Sequence, residues 1–361
     1  MSLTVLSVGY PLARVSPTTP GGAEQVLALL DEAVVAAGGR SLVVAPAGSQ
    51  CHGRLLETLC LGTTFDEQQH SIACEVHRRV IAKAVSDFSI DVIHMHGVDF
   101  YRYLPQVSIP TIVTLHLPPS WYPPQVLSSD RLNTYLVCVS QSQRRSCPQD
   151  ARIHTVIENG VPLEKFESFG KKEDYVAALG RICPEKGFHL ALDAATTAGL
   201  SLRLAGEVFG YAAHRHYWKT EIEPRLKSPH RFLGALALRQ KRELLARARC
   251  LLVTSLVDET SCLVAMEALS CGTPVVALRR GALIEIVEHG RTGFLVDTVQ
   301  ELPGAIRSAV ELSPDDCRLD AERLFSADRM TARYLSLYRN LTAGSSSISI
   351  APSAESLVQN Q

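Results

Sequence analysis

Several features that would place a chain quickly are missing here. There is no stretch of 18 or more uncharged apolar residues, which excludes a membrane-crossing helix. Met1 leads into Leu3-Thr4-Val5-Leu6 without a basic stretch and a long apolar segment. A secretory signal is therefore not expected, and the expected location is cytoplasmic, with peripheral contact at the inner membrane surface left open. Neither charge is in excess: 36 Lys plus Arg face 37 Asp plus Glu, a net charge of −1. Without a global positive field, nucleic acid is not an expected partner. The ten cysteines form no C-x-x-C pair and no zinc-like run with nearby histidines, and they read as buried thiols of a reducing compartment. No internal repeat of solenoid length is visible.

What is present is apolar material for two cores. Hydrophobic residues make up 46% of the 361 residues and charged residues 20%, a globular composition. Single cores rarely grow past about 250 to 300 residues, so two domains are expected, with a cleft between them as the default ligand site. Short β-branched runs alternate with longer helical patterns, the signature of parallel sheets with crossover helices. The runs at 4–8, 41–45, 91–94, 111–115 and 135–139 are predicted as strands of a first unit. A helix over 23–37 follows the Pro20-Gly21-Gly22 punctuation.

A second series begins after 156–161, where Asn159-Gly160 is a turn signal. Strands are predicted at 175–179, 201–205, 231–233, 250–254 and 273–277, and helices near 187–198, 238–248, 262–271 and 282–289. The expected fold class is α/β, with two doubly wound, Rossmann-like domains over 1–165 and 166–325. An amphipathic helix within 326–341 is expected to pack back across the junction. The segment 342–361, poor in large apolar residues, is expected to be a disordered tail.

The sharpest constellation runs from Asp258-Glu259-Thr260-Ser261-Cys262-Leu263 through Glu267 to Cys271-Gly272-Thr273. A strand leads into a short polar loop, a helix, a glycine stop and another strand. The amides of Thr260, Ser261, Cys262 and Leu263 are placed to bind an anion or sugar hydroxyls. Glu267, two turns into the predicted helix, is placed to accept two hydrogen bonds from a ribose diol. Taken singly, Glu259 is a helix-start carboxylate and Glu267 a solvated residue. Yet Glu267 lies among Val264, Ala265, Met266, Ala268 and Leu269, and a carboxylate so flanked needs a reason. Eight residues of helix rise about 12 Å, more than the separation of a glycosidase acid and nucleophile. The spacing suits a grip on two parts of one ligand.

A second cluster is Leu179-Gly180-Arg181-Ile182-Cys183-Pro184-Glu185-Lys186-Gly187. Arg181 and Lys186 bracket a loop that opens a helix, where positive charge opposes the helix dipole and so points to a bound anion. A leaving diphosphate fits. No Asp-x-Asp lies at a strand end, and these two cations take over a metal's neutralising task, so neither a metal nor another cofactor is expected.

Together these motifs make the stretch 180–296 resemble a retaining glycosyltransferase of GT-B fold, family four, also called glycosyl transferases group 1. Glu259 through Glu267 resembles that family's E-x7-E signature, Arg181 to Gly187 its phosphate loop, and Gly290-Arg291-Thr292-Gly293-Phe294-Leu295 its G-x-x-G-x-L segment. Less specifically, Gly21-Gly22-Ala23-Glu24, the 91–96 run and Thr114-Leu115-His116 resemble its first half. The resemblance implies two domains facing across a cleft and a nucleotide-diphosphate sugar as donor, a uridine-diphosphate sugar in first place. Arg181 and Lys186 would hold the diphosphate, Glu267 the ribose, Glu259 the donor sugar, and His116 would face the reacting centre. Gly21, Gly22 and the 260–263 amides would line the donor site. The acceptor would be a hydroxyl of a glycan, a lipid-linked sugar or a small molecule.

One departure stands out: the family's Phe-Gly pair inside E-x7-E is Ser261-Cys262 here, which removes the aromatic wall and leaves binding to the backbone amides. That change leaves room for a catalytically silent nucleotide-sugar binding scaffold, and the shared fold for a nucleotide-sugar epimerase or hydrolase. A dinucleotide oxidoreductase is disfavoured because no full G-x-G-x-x-G follows the first strand.

Overall fold

The computed structural model describes residues 3–346 apart from Thr18, Pro20, 61–65 and 167–170. The first half of the chain builds an all-parallel sheet from β1 (Thr4–Val8), β2 (Arg40–Pro46), β3 (Arg54–Thr58), β4 (Val92–Met95), β5 (Thr111–Leu115), β6 (Thr134–Cys138) and β7 (Ile153–Val156). Their order is β3-β2-β1-β4-β5-β6-β7. The second half builds another from β8 (Tyr175–Leu179), β9 (Ser201–Ala205), β10 (Arg231–Phe232), β11 (Leu251–Val253), β12 (Val275–Leu278) and β13 (Gly293–Val296), in the order β10-β9-β8-β11-β12-β13. Each sheet reverses its winding beside its first strand: β1 pairs with β2 and β4, and β8 pairs with β9 and β11. At such a reversal the loops leaving the carboxyl ends diverge and open a crevice. The loops after β1, β5, β8 and β11 carry the residues of interest.

Strands covered on both faces are apolar along their whole length, and every residue of β1 and of β12 is buried. Alternation then divides the packing. Val5 joins Val26, Leu30 and Val34 of the helix Gly22–Ala36 on one face, and Leu6 joins Ile81 of the helix Glu67–Asp87 on the other.

Among the elements not predicted are β3, β7, β13 and the helices Glu67–Asp87, Gln141–Ser146 and Ala212–Tyr217. β3 and β7 are half-exposed edge strands, so neither shows a continuous apolar run. The helix predicted over 282–289 shrinks to one turn, Leu283–Ile286. Val287 is already extended, and the amide of Gly290 donates to the carbonyl of Gly293 at 2.8 Å, turning the chain early into β13.

The chain crosses between the halves twice, and the crossings pair. Val161 donates to the Phe325 carbonyl at 2.8 Å and accepts from the Ala327 amide at 2.9 Å. The last helix, Ala327–Ser346, then returns to the first sheet. Residues 342–346 of the expected tail are thus helical, and 347–361 lie outside the described residues. Met330, Tyr334 and Tyr338 of this helix pack with Val5, Val92 and Ile112. The Tyr338 hydroxyl is hydrogen-bonded to His94 Nδ1 at 2.7 Å, His94 Nε2 to Thr114 Oγ1 at 2.7 Å, and Thr114 Oγ1 to the Tyr334 hydroxyl at 2.9 Å.

Every member of that relay is buried. Tyr338→Phe keeps the ring and strands His94 Nδ1 without a partner, so it should cost about 1–3 kcal/mol. Urea unfolding, with an unchanged dependence on denaturant, is the check.

Candidate active site

The loop after β8 is shaped by its contact with β11. Pro184–Lys186 make a single tight turn, and Gly187 follows at φ +61°. A Cβ there would lie 2.3 Å from the Thr254 carbonyl oxygen, so both conformation and space require glycine. Thr254 Oγ1 donates to the Gly187 carbonyl at 2.9 Å and the Lys186 carbonyl at 3.2 Å, and the Leu256 amide donates to the Glu185 carbonyl at 2.7 Å. These bonds clamp the Arg181–Gly187 loop onto the loop after β11.

The clamp brings Lys186 Nζ to 2.6 Å from Glu259 Oε1. The Ser255 hydroxyl donates to the same carboxylate oxygen, and the Ala282 amide fixes the Glu259 carbonyl at 2.7 Å. Burial alone would pull the Lys186 ammonium down, but Glu259 beside it holds it above the ordinary lysine range. Burial likewise pushes the Glu259 carboxyl up, and Lys186 overrides this to hold it below the ordinary carboxylate range. Both groups are therefore charged across neutral pH. The structure thus places Lys186 against Glu259, where the sequence suggested two cations aimed at an anion. Among the described residues Arg181 is in no ion pair, and its charge acts on Lys186, on Glu259 and, from across the junction, on buried Glu24.

The helix Leu263–Ser270 begins one residue later than predicted, and Cys262 caps it at φ 60°, ψ 65°. A residue with a side chain thus holds a left-handed backbone here, a strain of about 1–2 kcal/mol. Burial pushes the Cys262 thiol up to about 12, which keeps it a neutral thiol at neutral pH. Since 259–262 are not helical, the rise argument for an E-x7-E spacing of about 12 Å does not apply, and Glu267 lies one turn into the helix instead of two.

Glu267 has its reason for lying among apolar neighbours. Its side chain is 4% exposed, and its Oε1 accepts from Lys241 Nζ at 2.5 Å. Lys241 comes from the helix Leu238–Arg247 and was not nominated from the sequence. Nothing local distinguishes it from Arg239 and Arg242 beside it; only the fold brings it across 26 residues to Glu267.

The first half meets this loop directly. Thr260 Oγ1 donates to the His116 carbonyl at 2.8 Å. Gly21 caps the helix Gly22–Ala36, and a Cβ on Gly22 would lie 3.3 Å from Leu263, so the starts of two helices from opposite halves abut. His116 follows β5, and its Nε2 is 3.0 Å from His96 Nδ1, the rings stacked. Burial drives the His116 ring down to about 3 and those of His94 and His96 well below their ordinary value. Ser261 Oγ is buried without a hydrogen-bond partner and lines a cavity of about 170 Å³ between the halves, with Met266, Glu158 and Glu285. Glu285 accepts from the amides of Gln141, at 3.1 Å, and Ser142, a further tie across the junction. The nominated residues therefore lie around one junction of loops, while the cavity beneath Ser261 is smaller than a ligand pocket of ordinary size.

Two measurements test this geometry. At Cys262, glycine should be tolerated within about 1 kcal/mol, while valine, β-branched in a left-handed conformation, should cost about 2 kcal/mol more; thermal unfolding separates them. For His116 the folded value lies below the ordinary one near 6.5, so its stabilising contribution is complete above that pH and is lost as pH falls towards about 3. His116→Gln should flatten the acid-side loss of stability by up to about 1.4 kcal/mol per pH unit, read from denaturant unfolding at several pH values.

Compared with known proteins, residues 163–322 match the family described as glycosyl transferases group 1. The D-inositol 3-phosphate glycosyltransferase of Corynebacterium efficiens is 32% identical over 202 residues, 51% of this chain and 45% of that protein. The N-acetyl-alpha-D-glucosaminyl L-malate synthase of Bacillus anthracis is 30% identical over 105 residues, 27% of each chain. The chain spans less than half the length of these curated relatives. Among solved structures, sucrose-phosphate synthase from Thermosynechococcus elongatus aligns with TM-score 0.79 and 19% identity over 95% of this chain and 100% of that one. HepE of Anabaena, in complex with UDP and glucose, aligns with TM-score 0.73 and 21% identity over 94% and 100%. The chain thus has the fold of GT-B glycosyltransferases, and its residues 163–322 match glycosyl transferases group 1.

Proposed function

We propose that this protein is a retaining glycosyltransferase that moves a sugar from a nucleotide-diphosphate sugar to a hydroxyl of a glycan, lipid-linked or small-molecule acceptor. The observation that carries the reading is the charged Lys186–Glu259 pair, 2.6 Å apart at the carboxyl edge of the second sheet, next to Thr260, whose hydroxyl is bonded to the His116 backbone carbonyl. A uridine-diphosphate sugar is favoured as donor, in line with the UDP in the HepE complex.

In this reading the pair is preset for its ligand. An ammonium has three donors, so Lys186 keeps one on Glu259 and turns the others to the diphosphate, joined there by Arg181. Negative charge building on the leaving phosphate meets two cations already in place, a form of stabilisation that needs no metal. Glu259 accepts from hydroxyls of the donor sugar. Glu267 has one oxygen on Lys241 and offers the other to the ribose. The 260–263 amides and the helix start at Gly21-Gly22 line the site, and His116, uncharged at neutral pH, presents a neutral ring to the sugar. The departing phosphate takes the acceptor's proton on the face it leaves, so the anomeric configuration is retained. Closing the halves limits hydrolysis by excluding water.

Thermal unfolding with UDP, GDP, ADP and their sugars tests the assignment. A rise in unfolding temperature with uridine nucleotides is expected, lost in Glu267→Ala and Lys186→Ala, with kcat falling about 10²–10³-fold in the latter. No shift with any nucleotide would overturn the transferase reading and the binding scaffold alike, whereas a shift without turnover would replace the transferase with the silent scaffold.

A further inference from the structure

Away from the loops just described, the helix Glu67–Asp87 brings a second set of reactive side chains together. His70 and Cys74 stand one turn apart on it, four residues being the spacing that puts two side chains on one helical face. Asp99, from the turn after β4, meets both: its Oδ2 lies 2.6 Å from His70 Nε2 and 3.4 Å from Cys74 Sγ. One atom from each residue lies within 4.8 Å of the other two. Cys74 and Asp99 are buried, and the His70 side chain is 18% exposed. One turn beyond Cys74, His77 is fully buried with neither ring nitrogen hydrogen-bonded, although the Ala73 and Gly9 carbonyls approach it. This is more polar capacity than the interior of a helix–sheet interface needs.

We propose that His70, Cys74 and Asp99 bind a zinc ion, with water in the fourth position. The donor set is one imidazole nitrogen, one sulfur and one carboxylate oxygen, which suits zinc and disfavours magnesium and calcium. Thiolate and carboxylate together cancel the charge of the ion, so a neutral unit replaces the buried hydrogen bonds. Tetrahedral bonds of about 2.0–2.3 Å separate ligand atoms by about 3.3–3.7 Å. Cys74 and Asp99 already stand at that distance, and His70 has to retreat from Asp99 by about 1 Å. Outer support is in place. The Tyr103 hydroxyl donates to Asp99 Oδ1 at 2.8 Å. When Nε2 goes onto the metal its proton moves to Nδ1, and the Glu67 carboxylate, 3.9 Å from Nδ1, can accept the hydrogen bond from it. Arg102 now lies 3.2 Å from the same nitrogen and is already paired with Glu67 at 3.1 Å, so it moves onto Glu67 fully. Binding exchanges the Cys74 thiol proton, released to solvent, for a zinc–sulfur bond, and no electron is transferred. The site was passed over in the sequence because its third ligand lies 25 residues beyond Cys74, outside any short motif.

The test is zinc content and cobalt substitution in the full chain. After incubation with zinc and dialysis, elemental analysis should find one zinc per chain, and the cobalt form should show a thiolate-to-cobalt absorption band. Both should be lost in Cys74→Ala and weakened at least tenfold in His70→Gln, whose partly exposed position lets it fold. A second cluster, Cys183, Glu185 and His214, has the same kinds of ligand, so His214→Ala is the control and should retain both signals. Absence of bound zinc in the wild-type chain, or signals lost with His214→Ala and kept with His70→Gln, would overturn the proposal.

Discussion

The two backbone hydrogen bonds that tie Val161 to Phe325 and Ala327 set the frame for everything else. Where a chain crosses twice between two sheets, unpaired crossings leave polar backbone groups without partners at a junction whose residues Val161, Phe325 and Ala327 are buried, at a cost of about 1–3 kcal/mol each. Here each crossing satisfies the other. The pairing delivers the last helix to the first sheet, where Tyr334 and Tyr338 reach Thr114 and His94. Thr114 stands two residues before His116 on the same strand end. The position of the histidine in the junction is thus built from residues more than two hundred positions away.

The same logic of mutual satisfaction governs the charges. Lys186 and Glu259, like Lys241 and Glu267, are cation–carboxylate pairs with little exposure. Burial alone would drive Lys186 and Glu259 neutral, and their pairing keeps both charged. In both pairs the contact also fixes where each group points. Rigidity of this kind is what a site needs if it is to meet developing charge without reorganising.

The strands of both sheet centres were legible because a parallel strand covered on both faces must be apolar throughout, as β1 and β12 are. The edges were not: β3 reads Arg-Leu-Leu-Glu-Thr and is half-exposed, a pattern that a loop also shows. Residues 282–289 looked helical because Leu283 and Ile286 have helical spacing, but backbone pairing of Gly290 with Gly293 ends that helix. In the site, residue types and neighbourhoods were legible and partners were not. Lys186 and Glu259 are separated by 73 residues, and the choice of Lys241 over its basic neighbours is made by the packing of one helix on another. The left-handed Cys262 was half legible: its departure from the family's glycine was visible, the strained backbone it retains was not.

The last helix follows the second sheet in sequence and belongs to the first by packing. A gene fragment cut between the sheets would therefore yield a first half with a bare apolar groove along β1, β4 and β5, and a second half trailing an unpartnered amphipathic helix. Each piece would present the surface the other lacks, so the two should reassemble when expressed together. For the same reason, recombination that exchanges second halves among proteins of this architecture must leave this helix with the first half to keep its groove filled.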